Sequence, residues 1–255
     1  HSGRTILHTA TESWASSHSA ARCQRNEGGS PACQLPQTIL LLLDFGAEVN
    51  AVDDDGDTAL HLASAGQCTS LMRILVRRGA DPKVENSRGF TPAALCLSPL
   101  AGRSVTFWTL EPDSDAVGAR QRWVEAYGSS WEVAPARVTT NIRILLGAGA
   151  RARWHSRFGA SLLDIARLFE APDDVTQMLV RSGAATSWPA TTSIFGALSL
   201  AAGYVAEHSD YQLGLVSVQF AGDRWHVITN SAAAGTNIYI DIDARTGQVL
   251  RASHN

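Results

Sequence analysis

The sequence predicts a mainly α-helical repeat solenoid followed by a small α+β unit, and three observations support this fold class. A glycine-led motif recurs at a spacing of 33 residues, a helix-like segment ending in Gly-Ala occurs four times, and alternating apolar residues appear late in the chain. Stacked repeats contact only their neighbours, and about three or more of them bury a continuous core. We therefore expect a solenoid of about four repeats, with a compact unit after it.

The recurring motif is carried by four stretches of sequence. Gly56–Ala63 (GDTALHLA) is followed 33 residues later by Gly89–Leu95 (GFTPAAL), Gly3–Ala10 is another copy, and Gly159–Ala166 is a weaker copy. A 33-residue period with a T-P-L-H-x-A pattern is the signature of ankyrin repeats. The sequence thus resembles the ankyrin-repeat family, which implies a curved stack with a concave face of inner helices and turn tips.

The second half of each repeat also recurs, as a helix that ends at a glycine. The four copies are Ile39–Ala47, Leu71–Ala80, Ile142–Ala150 and Val175–Ala184. Gly ends such a helix because a left-handed conformation costs little without a Cβ. At the other end of the unit, the Thr58 hydroxyl is expected to cap the first helix. His8 and His61 occupy the family's His position, where the imidazole bonds a neighbouring backbone.

Two insertions interrupt the period within a predicted ankyrin domain at 1–185. The distance from Gly3 to Gly56 is 53 residues, 20 more than one repeat, and the excess falls near 13–36. Cys23 and Cys33 lie there and could form a disulfide if the protein is exported. We expect Cys68 and Cys96, which lie in helix-like segments, to be buried thiols.

The second insertion lies near 98–138, because Gly89 and Gly159 are 70 residues apart, 37 more than one repeat. Loops of this length without a function are uncommon. Its aromatic residues either pack the loop onto its own repeats or contact a partner, since aromatic and Arg side chains dominate interface hot spots. The candidates for partner contact are Trp108, Trp123, Tyr127 and Trp131.

Residues 186–255 are predicted to form a small α+β unit. Thr191–Glu207 has the apolar periodicity of a helix, and three or four strand-like segments follow, with Ile238, Ile240 and Ile242 pointing one way. The ending Tyr239–Leu250 resembles bacterial PepSY-like domains and immunity proteins, modules that bind or inhibit. Asp241 and Asp243 face solvent, hold the Thr246-Gly247 turn, or form part of a metal site.

No enzymatic signature motif (GxSxG, HExxH, P-loop or GxGxxG) occurs in the sequence. A net charge of -3 and scattered arginines argue against a nucleic-acid partner, and no apolar run is long enough to cross a membrane. We expect no cofactor and no metal. The acidic run at 53–57 is either a solvated turn or an electrostatic contact for a basic partner. The charged candidates for partner contact are Asp53, Asp54, Asp55, Asp57, Arg88 and Arg157.

These observations favour a non-enzymatic protein-binding module from a bacterium, whose sharper form is an inhibitor or immunity-like protein that binds a toxin or enzyme. A scaffold in a larger assembly is the alternative, and a hydrolase with a site in the insertions is the third hypothesis. A pocket with convergent titratable groups would favour the enzyme. The compartment, cytoplasmic or periplasmic, is open.

Overall fold

A computed structural model describes residues 3–16, 35–97, 105–107, 135–208, 216–229 and 237–254. Most of the described residues up to 181 form helices joined by tight loops. The helices are α1 (Ile6–Ser16), α2 (Leu35–Asp44), α3 (Ala59–Ala65), α4 (Thr69–Arg77), α5 (Pro92–Leu97), α6 (Pro135–Gly147), α7 (Leu162–Leu168), α8 (Asp173–Arg181) and α9 (Ile194–His208). Within the described residues, no helix combines the length and the hydropathy needed to cross a bilayer.

Helices α1 to α8 stack in two layers. Each odd-numbered helix contacts the even-numbered helix that follows it, and the pairs then contact their neighbours layer by layer. The odd-numbered helices α1, α3, α5 and α7 form one layer, and α2, α4, α6 and α8 form the other. This arrangement is that of ankyrin repeats, in which each unit buries its apolar face against the next.

The sequence determines where the helices of a unit begin and end. Thr58 precedes α3 with an extended backbone, and its hydroxyl accepts a hydrogen bond from the His61 N–H, as expected. Ser161 caps α7 in the same way through the Asp164 N–H. Gly79 follows α4 at a φ of +86°, which confirms the left-handed ending predicted for this position.

The core lies between the two layers and continues into the C-terminal unit. Helix α4 is strongly amphipathic, so that Leu71, Met72 and Leu75 are buried while the arginines of the same helix face outward. Cys68 and Cys96 are buried thiols, as predicted. Burial raises the pKa of the Cys96 thiol to about 12, which makes it unreactive in the folded state.

An antiparallel sheet of five strands, in the order β1-β2-β3-β4-β5, lies beside the last helix pair. Four strands come from the C-terminal unit, and β1 comes from the second insertion, a strand that the sequence did not predict. The strands are β1 (Val105–Phe107), β2 (Val216–Phe220), β3 (Arg224–Ile228), β4 (Ile238–Asp243) and β5 (Val249–His254). Val105 pairs with Val218 and Phe107 with Val216, so part of the insertion is tied to the C-terminal unit.

Helix α9 packs on one face of the sheet, against β3 and β4. Its predicted apolar stripe, Ile194, Leu198, Ala201, Ala202 and Val205, is buried, as are the alternating isoleucines of β4. An aromatic cluster then joins this unit to the stack, because the Phe169 ring makes edge contacts with Phe220 and Trp225 at centroid distances of 5.7 and 5.4 Å. Both parts of the chain therefore share one continuous core.

Candidate protein-binding surface

Three loops between helix pairs have the same backbone geometry. We call residues 47–57 loop 1, residues 80–90 loop 2 and residues 150–160 loop 3. Each contains a tight turn closed by a glycine N–H: Gly56 donates to Asp53, Gly89 to Asn86 and Gly159 to Ser156, at 2.7–2.9 Å. The three glycines have φ values of +72°, +79° and +80°, a region that other residues enter only with strain.

The side chain of the first turn residue holds each turn from inside. The Asp53 carboxylate accepts the N–H groups of Asp55 and Asp57 at 3.0 and 2.9 Å. In loop 2 the Asn86 side-chain oxygen accepts the N–H groups of Arg88 and Phe90. In loop 3 the Ser156 hydroxyl accepts the Ala160 N–H. Short polar side chains favour such turns because they replace a backbone partner. The turn shape is thus specified locally.

Hydrogen bonds also join the loops to one another. The Ser87 N–H of loop 2 donates to the Asp55 carbonyl of loop 1 at 2.9 Å. The Arg157 guanidinium of loop 3 donates to the Ser87 carbonyl at 2.5 Å. Asn50 bridges the Gly79 carbonyl and the Asp81 N–H at 3.1 and 2.8 Å. The three loops therefore form one continuous surface, which we call the loop row.

The charged residues singled out in the sequence divide into two groups. The side chains of Asp54, Asp55, Arg88 and Arg157 are exposed at the tips of the loop row. Asp53 and Asp57 are buried, with 6% and 7% of their surface exposed, and their carboxylates serve the fold. Asp57 accepts the Asn86 amide at 2.7 Å, which ties loop 1 to loop 2. A partner would therefore touch the first group and depend on the second only indirectly.

Ion pairs compensate the two buried carboxylates. The Arg4 guanidinium lies 3.6 Å from Asp53, and that of Arg88 lies 3.8 Å from Asp57. Because a buried charge without a partner is costly, these arginines help to stabilise the turn. The aromatic candidates Trp108, Trp123, Tyr127 and Trp131, and the disulfide candidates Cys23 and Cys33, lie outside the described residues.

The two histidines of the repeat motif are structural, as the sequence predicted. The Nδ1 atoms of His8 and His61 accept the N–H groups of Thr5 and Thr58 at 3.2 and 3.1 Å. This fixes the proton on Nε2, which then donates to the Asp57 carbonyl from His8 and to the Phe90 carbonyl from His61. Burial lowers the pKa of His61 below its ordinary value, although Asp57 opposes this.

In the last helix pair Asp164 stands where the motif places histidine. It is fully buried, and its Oδ2 atom accepts the Ser161 N–H and hydroxyl at 2.9 and 2.8 Å. The same oxygen accepts the N–H groups of Ser187 and Trp188 at 2.9 and 3.3 Å. Asp164 was not among the residues predicted from the sequence, although its position within the motif is a usable signal. This carboxylate joins the stack to the chain that leads into α9.

A shallow groove of about 460 Å³ lies between α7 and α8. Its charged lining residues are Arg167, Glu170, Asp173 and Arg181. The Glu170 carboxylate accepts the Ser193 hydroxyl at 2.8 Å and so is engaged by the segment that precedes α9. This groove lies away from the loop row, and neither the Asp nor the Arg candidates of the loop tips line it.

Of the two acidic residues of β4, Asp243 has the turn-holding role that the sequence suggested, and Asp241 has a different contact. The Asp243 carboxylate accepts the N–H groups of Arg245 and Thr246 at 2.8 and 2.9 Å. Burial alone would raise the pKa of this carboxyl, but these hydrogen bonds together lower it. Asp241 bonds Nδ1 of His226 at 2.5 Å. Within the described residues, no three His, Cys, Asp or Glu side chains are grouped so as to hold a metal ion.

Comparison with known proteins identifies the repeats. Residues 32–103 match the family model described as "Ankyrin repeats (3 copies)". Protein PhlB of Serratia liquefaciens is 41% identical over 71 residues, which cover 28% of this chain and 30% of PhlB. Protein fem-1 homolog A of Danio rerio is 32% identical over 103 residues, covering 40% and 15% of the two chains.

Ankyrin repeat and SOCS box protein 16 of Mus musculus is also similar, with 38% identity over 77 residues that cover 30% of this chain and 17% of that protein. The matched part spans less than a third of the length of each of these relatives. The chain thus contains ankyrin repeats, which generally serve as modules for protein–protein interaction.

Proposed function

We propose that this chain, whose residues 32–103 are ankyrin repeats, is a non-enzymatic module that binds one protein partner and blocks its activity. The partner is a bacterial toxin or enzyme, so the protein acts as an inhibitor or immunity-like protein. The observation that carries this proposal is the loop row, a preformed surface with exposed charged tips. The bacterial setting is supported by the similarity to PhlB of Serratia liquefaciens.

We infer four repeats in residues 1–185, with insertions near 13–36 and 98–138, and a separate unit in 186–255. The four helix pairs support this count. The resemblance of Tyr239–Leu250 to immunity modules supports an inhibitory role for the C-terminal unit. Because β1 of the second insertion pairs with β2, the insertion and this unit are placed to act together on a partner.

The loop row suits a blocking role for an energetic reason. Association costs conformational entropy for every segment that becomes ordered, and a preorganised surface avoids much of this cost. The turns are held by side chains from within and joined by hydrogen bonds between loops. A rigid surface that covers a partner's active site would exclude its substrate. Asp54, Asp55, Arg88 and Arg157 are the described residues that we assign to the contact.

Affinity capture with this chain as bait, from lysate and periplasmic extract of its native organism, tests the proposal. We expect one stoichiometric partner, and its measured activity should fall in proportion to the complex formed. A bait carrying D54K and D55K should retain less of it, whereas a bait with D173K, an exposed change on α8, should retain the same amount.

Other outcomes separate the remaining hypotheses. A multi-subunit assembly whose activity is unchanged by the bait would establish a scaffold role and contradict inhibition. Failure to retain any reproducible partner would contradict the binding function, and the groove between α7 and α8 would then be the place to seek a substrate.

A further inference from the structure

The exposed positions of the loop row carry a graded charge. Residues of loops 1 and 2 correspond at an offset of 33, and those of loops 2 and 3 at an offset of 70. Loop 1 presents three acidic residues and loop 3 three arginines, whereas loop 2 presents two of each sign. The residues are Glu48, Asp54 and Asp55 in loop 1, Asp81, Lys83, Glu85 and Arg88 in loop 2, and Arg151, Arg153 and Arg157 in loop 3. The formal charge therefore runs from -3 through zero to +3.

The charges of the two end loops are not neutralised inside the described part of the chain. Arg151, Arg153 and Arg157 are exposed, and none of the ion pairs found among the described residues includes them. The same holds for the three acidic residues of loop 1. The neighbouring buried carboxylates, Asp53 and Asp57, do have arginine partners. These ion pairs thus stabilise the buried carboxylates of the turns and do not include the exposed charged side chains of loops 1 and 3.

Two arginines of loop 3, Arg151 and Arg153, are separated from loop 1, whereas the Arg157 guanidinium reaches the Ser87 carbonyl of loop 2, whose N–H bonds Asp55. In loop 3 Arg151 and Arg153 are exposed, whereas Ala152 and Trp154 of the same turn are buried, so both guanidinium groups are available at the surface. Loops 1 and 3 are two helix pairs apart along the stack, roughly 20 Å at 8–10 Å for each step between neighbouring helices. That exceeds the Debye length of about 8 Å at physiological ionic strength. Each charged end of the loop row, or pole, therefore acts on whatever docks against it.

We propose that the loop row binds a protein surface of opposite polarity, with an acidic segment against loop 3 and a basic segment against loop 1. This inference rests on the proposed binding function and specifies the chemistry of the partner. Guanidinium groups bind carboxylates in a bidentate manner, so three arginines favour clustered Asp or Glu side chains. The opposite pole repels a uniformly acidic ligand, including a nucleic acid, and it fixes the orientation of the partner.

A two-block peptide tests this polarity directly. It carries about four Glu and about four Lys residues joined by about twelve Gly/Ser residues, whose mean span is ~20 Å. A nitroxide is placed at the Glu end in one version and at the Lys end in the other. Line broadening in the NMR spectrum of the isotope-labelled protein then reports which end lies near which loop.

We expect broadening at 150–160 from the Glu-end label and at 47–57 from the Lys-end label. The two-block peptide should bind roughly tenfold more tightly than either block alone, because the second contact is intramolecular. The double variants R151E/R153E and R151Q/R153Q should lose this gain. R143E/R181E, on exposed positions of α6 and α8, is the matched control and should keep it.

Three outcomes would overturn the inference. The first is broadening that does not change with the label position. The second is equal affinity for the all-Glu peptide, and the third is equal affinity for a single-stranded oligonucleotide. Each would show that the loop row does not distinguish the charge order of its ligand. The peptide result is independent of whether a natural partner is captured. Failure of capture with a positive peptide result would reject the proposed inhibition and leave the polarity established.

Discussion

Replacing Asp164 with alanine should weaken the attachment of the C-terminal unit to the last helix pair and lower the stability of the fold. One carboxylate oxygen accepts N–H groups from Ser161, Ser187 and Trp188. The other oxygen, Oδ1, has no hydrogen-bond partner within the described residues. Alanine itself fits this position, because Ala94 occupies the equivalent place in the preceding unit. The effect of D164A therefore comes from lost hydrogen bonds and not from backbone strain.

The size of the effect follows from the groups that lose their acceptor. Loss of the capping interaction with Ser161 costs about 1 kcal/mol. The buried Trp188 N–H, left without an acceptor, costs about 1–3 kcal/mol, and the more exposed Ser187 N–H costs about 0.5–1 kcal/mol. Alanine also removes the cost of burying a carboxylate with one unpartnered oxygen, which offsets roughly 1 kcal/mol of this loss. The expected net loss is about 1.5–4 kcal/mol.

Urea denaturation followed by tryptophan fluorescence measures this loss. D164N retains an oxygen acceptor and should cost only about 1 kcal/mol, since the hydrogen bonds lose their charge assistance. D54A, on the exposed tip of loop 1, is the control and should lie within about 0.5 kcal/mol of wild type. A D164A variant that unfolds within about 1 kcal/mol of wild type would refute the role assigned to this carboxylate.

Three further predictions concern other parts of the fold. Burial lowers the pKa of His61 below 6.5, so as the pH falls the unfolded chain takes up a proton before the folded chain does. The stability that His61 contributes is therefore complete above pH 6.5 and is lost as the pH drops through the folded-state pKa. Thermal melts between pH 7.5 and 5 should show this slope, and H61Q should flatten it. G222A should destabilise the fold about 1–3 kcal/mol more than G46A, because both glycines have positive φ but only at Gly222 would a Cβ meet Phe158, 2.2 Å away; equal denaturation midpoints would contradict this contact. Cys96, with its pKa raised to about 12, should stay unmodified by a thiol reagent at pH 8 until the protein unfolds; modification of the native protein, detected by mass spectrometry, would argue against its burial.

The repeat architecture was predictable because its signals are local. Each signal acts on backbone groups only a few residues away: Thr58 at a helix start, the histidine at a fixed offset from it, and Gly79 at a helix end. The 33-residue spacing then specifies which units stack. The strands of the C-terminal unit were predictable for the same reason, since alternation in β4 encodes the buried face directly.

Two features escaped prediction because they depend on distant parts of the chain. Strand β1 has only three residues, and its partner β2 lies more than 100 residues away, so no local pattern marks the pairing. The cluster of Phe169, Phe220 and Trp225 likewise forms only when the sheet docks on the last helix pair.

Within the loop row, the sequence identified the charged residues but not which of them are exposed and which hold the turn from inside. Asp53 and Asp57 differ from Asp54 and Asp55 only by position in the turn, and the turn geometry decides which carboxylates face inward. Arg151 and Arg153 were missed because the comparison that reveals them is between equivalent positions of different loops. The offsets of 33 and 70 residues make this comparison possible from the sequence, and the structure adds which of the charged side chains are exposed.

Calorimetric titration of the captured partner against loop-row variants tests the binding function most directly. Wild type and R181E, an exposed change on α8, should bind with the same affinity. R157E should weaken binding about tenfold or more, since it reverses a charge at the tip of loop 3 and removes the hydrogen bond to Ser87. If R157E binds as tightly as wild type while R181E binds weakly, the partner uses the groove side of the stack and the loop row is not the binding surface.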